Sequence, residues 1–146
     1  MDISKLAVDV ALMTGGVWWD YLTRMPCDDR SKPHASNLCF LVVPLGDEYR
    51  RAYEEACQPY REELRRGKGK LPLGMHDKAR GMALGQATLK GWANLYENGA
   101  ALPYSEDRAV EFMSDPKWCL VRDFVERAAQ NEAAVMAAEE SEAKGN

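Results

Sequence analysis

The sequence predicts an α+β protein that is mainly helical, with an N-terminal β-hairpin packed on four to five helices. Two runs of aromatic and β-branched residues, at 17–22 and 38–43, favour strands. Several apolar rows with the period of a helix occupy most of the remaining chain. Because an isolated hairpin is marginal in water, its apolar face has to pack on these helices or on the hairpin of a second copy.

The elements of the first half follow from spacing and from residues that start or stop helices. A short helix is predicted from Ile3, Leu6, Val10 and Met13, and it ends at the two glycines 15–16. The polar, proline-bounded residues 26–33 predict a long, mobile connection between the two strands. Residues 46–47 then place an N-cap before a helical apolar row, which Pro59 must kink or split.

The second half is predicted to be mainly helical. Ala79, Met82 and Leu89 lie on a long helix over residues 75–95, and its glycines at 81 and 85 should allow another element to approach closely. Residues 97–99 form a turn, and Ser105 caps a helix that runs to Met113. Asp115 and Pro116 start the last helix. Its apolar stripe is predicted to contain Trp118, Val121, Val125, Ala128, Val135 and Met136.

We therefore expect one domain over residues 1–138, followed by a frayed acidic tail over residues 139–146. The chain has 46% hydrophobic and 29% charged residues, and no apolar run approaches the roughly 20 residues that cross a bilayer. A membrane protein is therefore not expected. The net charge of -4 argues against a general nucleic-acid binder. The N-terminus lacks the features of a secretory signal, which favours the cytoplasm.

No catalytic or metal-binding motif is present in the sequence. The four cysteines, at 27, 39, 57 and 119, contain no Cys-x-x-Cys pair, and only His34 and His76 can supply imidazole ligands. The glycines 81 and 85 lack the closing Gly-Lys-Ser/Thr of a phosphate-binding loop. We therefore expect no metal, no cofactor and no enzymatic activity.

Two sets of residues are candidates for contacts with a partner. Trp18 and Trp19 are consecutive on a predicted strand, so their side chains point to opposite faces and both cannot enter one core. A partner contact, a second layer of helices or partial exposure would each explain this, and we favour a partner because aromatic residues anchor interfaces. The second set is a basic patch formed by Arg61, Arg65, Arg66, Lys68 and Lys70. Two interpretations of this patch remain open, since it suits an acidic partner or RNA and also complements the dipole of the preceding helix.

One segment resembles a pattern of small tail assembly chaperones of long-tailed, siphovirus-like bacteriophages. In that pattern a tryptophan-bearing helix end leads through an acidic glycine loop and a Pro-aromatic-Ser segment into a new helix. Here the matching residues are Gly91, Trp92, Ala93, Asn94, Leu95, Gly99, Leu102, Pro103, Tyr104, Ser105, Glu106, Asp107, Phe112 and Met113. The resemblance covers residues 79–138 and, more loosely, residues 16–53.

This resemblance implies a non-enzymatic factor that acts in the host cytoplasm during phage assembly and is absent from the mature virion. Its expected partners are the tape measure protein, which it keeps soluble, and the tail tube protein, whose assembly around the tape measure it promotes. Candidate contacts are Trp18, Trp19, Tyr21, Tyr49 and Tyr53, with self-association through the hairpin as a further possibility. A structural virion protein, such as a minor tail or connector component acting as a homo-oligomer, and a phage protein that inhibits a host target remain alternatives.

Overall fold

The computed structural model describes residues 15–145, with side-chain surroundings up to residue 142. The helix predicted from Ile3 to Met13 lies outside the described residues. The described part is α+β, as predicted, and combines a small antiparallel sheet with α-helices.

The strands of the main sheet are β1 (Val17–Asp20), β2 (Met25–Pro26), β3 (Cys39–Val42) and β4 (Leu89–Ala93), in the order β2-β1-β3-β4. The predicted hairpin is confirmed as the antiparallel pair of β1 and β3, in which Trp19 faces Phe40 and Trp18 faces Leu41. The connection between them is not a free loop. It forms the edge strand β2, and beyond β2 the backbone of Cys27 and of Arg30 bonds to Trp18.

The helices are α1 (Asp47–Cys57), α2 (Arg61–Arg66), α3 (Leu73–Ala87), α4 (Glu106–Ser114) and α5 (Cys119–Gly145). Gly46 is the N-cap residue of α1, without a side-chain cap. Pro59 separates α1 from α2 through a 3₁₀ turn, as its missing N–H requires. Ser105 Oγ accepts a hydrogen bond from Arg108 N and so caps α4 as predicted. Helix α5 extends to Gly145, because alanine and glutamate favour helix there. The fraying of the acidic tail over residues 139–146 stays a prediction.

The prediction of a single helix over residues 75–95 is wrong in its last part, because α3 ends at Ala87 and the chain becomes strand β4. β4 pairs with β3, with Trp92 opposite Phe40 and Gly91 opposite Leu41. This pairing satisfies backbone groups that β3 would otherwise expose at a sheet edge. The Trp92 segment on which the resemblance rests is therefore a strand, not a helix end.

A short second hairpin follows, formed by β5 (Tyr96–Glu97) and β6 (Ala100–Ala101). Asn98 and Gly99 connect its strands with φ of 53° and 82°, respectively. Two consecutive positive φ values are those of the two-residue turn that Asn-Gly prefers. The predicted turn is confirmed, and it directs the chain toward α4.

The core lies between the inner face of the main sheet and helices α3, α4 and α5. Its buried members are Val17, Trp19, Phe40, Val42, Leu84, Leu89, Trp92, Ala109, Met113, Phe124, Val125, Ala128 and Ala129. Helices α3 and α4 pack unusually closely. A Cβ at Gly81 would lie 2.2 Å from Met113 O, and a Cβ at Gly85 would lie 2.5 Å from Val110 Cα. The close approach expected at these two glycines is thus a helix–helix contact.

Candidate functional site

The structure distributes the five aromatic residues suggested as partner contacts over three places. Trp19 belongs to the core, with 6% of its surface exposed, and its Nε1 donates to Glu132 Oε1 at 3.0 Å. Tyr21 packs beside it, with its ring centroid 5.1 Å from that of Phe124. Both rings pack against Phe124, and Trp19 also lines a groove beside helix α5.

The other three residues lie elsewhere. Trp18 is half-buried on the outer face of the sheet, next to Gly91, which leaves room for its indole. Tyr49 and Tyr53 are half-buried on α1 and stack on each other at 6.3 Å, above the small residues of α3. These side chains therefore do not form one continuous surface.

The residues of the basic patch, Arg61, Arg65, Arg66, Lys68 and Lys70, are all exposed on α2 and the loop that follows it. Arg65 pairs with Glu62 on its own helix. Lys70 also lines a groove of about 650 Å³ between α1 and the start of α3, where Tyr53 Oη and His76 Nδ1 lie 2.8 Å apart. The exposed pair on α2 has little effect on stability, and it leaves both interpretations of the patch open.

An apolar surface with exposed aromatic rings lies where the β5–β6 hairpin meets α4 and the start of α5. We call it the aromatic groove. It encloses about 380 Å³ and is lined by Leu95, Tyr96, Glu97, Leu102, Arg108, Glu111, Phe112, Asp115, Lys117 and Trp118. Trp118 stacks on Phe112, with centroids 5.1 Å apart and ring planes at 18°. Tyr96 is 63% exposed and Trp118 43% exposed, which is unusual for large aromatic side chains.

Sequence reasoning placed Trp118 on the buried stripe of the last helix, and that expectation is wrong. Asp115 accepts a hydrogen bond from Lys117 N, and residues Pro116–Trp118 form a 3₁₀ turn before α5 begins at Cys119. Because a 3₁₀ turn rotates by about 120° per residue instead of 100°, the Trp118 side chain does not point to the same side as the apolar stripe of the helix. Phe124, which the sequence analysis did not select, occupies the core instead with 6% exposure.

The charges around the aromatic groove are paired with each other. Arg108 bonds to Glu97 across the groove at 2.7 Å and to Glu111 on its own helix at 3.4 Å. Lys117 lies 3.9 Å from Asp115. The rim thus has no strong charge surplus, and the surface that the groove offers is mainly apolar. An apolar floor with a polar rim suits the apolar stripe of an amphipathic helix.

Two cysteines that are distant in sequence lie together. Cys27 Sγ and Cys39 Sγ are 3.6 Å apart, and both residues are buried. Burial raises the pKa of the Cys39 thiol from 9.0 to about 11. Burial likewise raises the pKa of Tyr49 from 10.0 to about 12. Both groups therefore favour the protonated form in the folded chain.

These shifts predict a loss of stability in alkali. The pKa values of Cys39 and Tyr49 are higher in the folded than in the unfolded state, so their contribution is complete below pH 9 and is lost as pH rises toward 11 and 12. Urea unfolding across this range should show the free energy of unfolding falling steadily. In a Cys39→Ala variant, the decline in the free energy of unfolding that begins near pH 9 should be absent. An unfolding free energy that stays constant from pH 9 to 11 would contradict this prediction.

Within residues 15–145, no group of three or more His, Cys, Asp or Glu side chains is arranged to hold a metal ion. No helix of the described part is both long enough and apolar enough to cross a membrane.

A match to a protein family shows which family the chain belongs to, and the matched residues include those that line the aromatic groove. A family profile described as YdaY prophage protein matches residues 45–146, more than half of the chain. The chain belongs to this prophage protein family. It is therefore of bacteriophage origin, as the sequence analysis expected. No curated protein and no solved structure matches the chain significantly.

Proposed function

We propose that this protein is a non-enzymatic tail assembly chaperone. It binds the tape measure protein in the host cytoplasm, keeps it soluble and promotes assembly of the tail tube around it. The observation that carries the proposal is the aromatic groove, which exposes Tyr96 and Trp118 within the part of the chain that the family profile matches.

The physical reasoning starts from the client. A long, largely helical protein with apolar stripes aggregates before its partners cover those stripes. The aromatic groove offers large, rigid anchors with few rotatable bonds, which bind apolar side chains at a low cost in conformational entropy. Because Arg108 and Lys117 are already paired, the groove accepts different segments of one client without requiring a particular charge.

The test is co-expression with the tape measure protein of the same prophage, measuring the soluble fraction and co-purification of that client. The unaltered chain should solubilise the client. Tyr96→Ala and Trp118→Ala should each reduce co-purification several-fold while the chain stays folded, because each removes one anchor of the groove. Leu73→Ala is the matched control, since Leu73 is a 74% exposed apolar residue outside the groove.

Two results would contradict the proposal. One is a client that remains insoluble with the unaltered chain. The other is detection of the protein in purified virions as a stable component, which would favour a minor tail or connector protein. A Leu73→Ala variant as defective as Trp118→Ala would show that the aromatic groove is not the contact surface.

A further inference from the structure

A second groove lies between the turn that joins β1 to β2 and helix α5. We call it the arginine groove. It encloses about 520 Å³ and is lined by Trp19, Arg24, Met25, Pro26, Arg30, Phe124, Arg127, Ala128 and Asn131. Its floor is apolar and its rim carries three arginines. None of the described residues that line it is a carboxylate.

Arg24 is held at this groove by an uncommon backbone conformation. Its φ is 63°, in the left-handed region that non-glycine residues disfavour. The Asp20 carboxylate accepts hydrogen bonds from Leu22 N and Thr23 N, and Asp20 O accepts one from Arg24 N, which together fix the turn. The guanidinium then lies over Tyr21, with its carbon 4.2 Å from the ring centroid. Backbone strain that places a charged group at a groove is a feature of binding sites.

The groove carries a surplus of positive charge. Arg30 pairs with Glu132 at 3.4 Å. Among the described residues, neither Arg24 nor Arg127 has a carboxylate within ion-pair distance. In a chain of net charge -4, such a surplus is local and is complementary to an anionic partner. The apolar floor requires that this partner also present apolar side chains.

The chain contains a segment with this chemistry in the last turns of α5. None of the residues 133–142 is buried. They include the half-buried Val135 and Met136 and, on the following turn, Glu139 and Glu140. The segment is thus an acidic, amphipathic helix that still has surface to bury.

We propose that the arginine groove binds the C-terminal part of α5 from a second copy of this chain, which makes the protein a twofold dimer. The groove and the acidic segment lie on the same helix, about eleven residues apart, which is about 16 Å at the rise of an α-helix. Two antiparallel α5 helices with a twofold axis near Ala133 bring each acidic end to the other copy's groove. Such an isologous contact fills both grooves at once.

In this arrangement Glu139 of the second copy approaches Arg127 and Arg24, Ala138 lies opposite Ala128 of the apolar floor, and Val135 lies opposite Asn131. The proposal is independent of the chaperone function, because the residues that line the aromatic groove end at Trp118 and lie outside the contact between Arg127 and Glu139. It also differs from a hairpin-to-hairpin sheet, since the contact joins α5 to α5.

Sedimentation equilibrium of the full chain tests the dimer. The unaltered protein should dimerise, and Arg127→Glu or Glu139→Arg should each raise the dimer dissociation constant at least about tenfold, because each places like charges together. The double variant, which carries both reversals, restores opposite charges and should return the constant toward that of the unaltered chain. Thermal melting of each variant checks that it remains folded.

Arg66→Glu is the matched control, since it makes the same charge change on the exposed basic patch and should leave the dimer intact. A monomer at every concentration would overturn the proposal. So would a dimer that neither single reversal weakens, or one that Arg66→Glu weakens equally. Failure of the double variant to recover would overturn the pairing of Arg127 with Glu139.

Discussion

Alanine at Gly81 or Gly85 should destabilise the protein by about 3 kcal/mol at either site, because helices α3 and α4 are in backbone contact there. The added Cβ would lie 2.2 Å from Met113 O in one case and 2.5 Å from Val110 Cα in the other. A flexible side chain can rotate away from such a contact, but helix backbone cannot. The two helices must separate, which loosens the core around Met113. Urea unfolding of the two variants measures this loss.

The same helix supplies the control for this prediction. Gly74 lies in the first turn of α3, and a Cβ there would meet nothing within 4 Å. Gly74→Ala should therefore leave stability unchanged or raise it by up to about 1 kcal/mol, through the higher helix propensity of alanine. If Gly81→Ala and Gly74→Ala unfolded at the same urea concentration, α3 and α4 would not approach each other as described.

Local signals were sufficient to predict the β1–β3 pair, the cap at Ser105 and the Asn-Gly turn. Each depends on residues close in sequence whose chemistry allows few conformations, such as a hydroxyl three residues before a free backbone N–H. Strand β4 was not predictable in this way. The five residues from Leu89 to Ala93 gain their stability from pairing with β3, about fifty residues earlier, and helical spacing in the preceding segment extends into them.

The grooves were beyond sequence reasoning for a similar reason. The aromatic groove joins Tyr96 on a hairpin to Phe112 and Trp118 around α4, and only the tertiary fold brings them together. One signal was available, because the Asp-Pro pair at 115–116 favours a 3₁₀ start that rotates Trp118 away from the helical stripe. For Trp18 and Trp19, strand alternation correctly predicted opposite faces, but the sequence could not tell which face is covered by α5.

Replacing each of these two tryptophans with alanine should show, by the loss of stability, that Trp19 is a core residue and Trp18 a surface residue. Trp19→Ala should lose about 4 kcal/mol, because it empties a space beside Phe124 and removes the indole that bonds to buried Glu132. Trp18→Ala should lose only about 1 kcal/mol, since Trp18 is half-exposed on the outer face of the sheet. Urea unfolding followed by circular dichroism measures both.

A third variant separates the two parts of the Trp19 effect. Trp19→Phe retains most of the apolar bulk but leaves the Glu132 carboxylate with Arg30 as its remaining side-chain partner. The free energy of unfolding of this variant should therefore lie between those of Trp18→Ala and Trp19→Ala. Equal stability of Trp18→Ala and Trp19→Ala would contradict the assignment of Trp19 to the core. The difference also matters for the test of the proposed chaperone function. A Trp19→Ala chain that fails to solubilise the tape measure protein reports its lost stability. A folded Trp18→Ala chain that fails would place a contact on the outer face of the sheet.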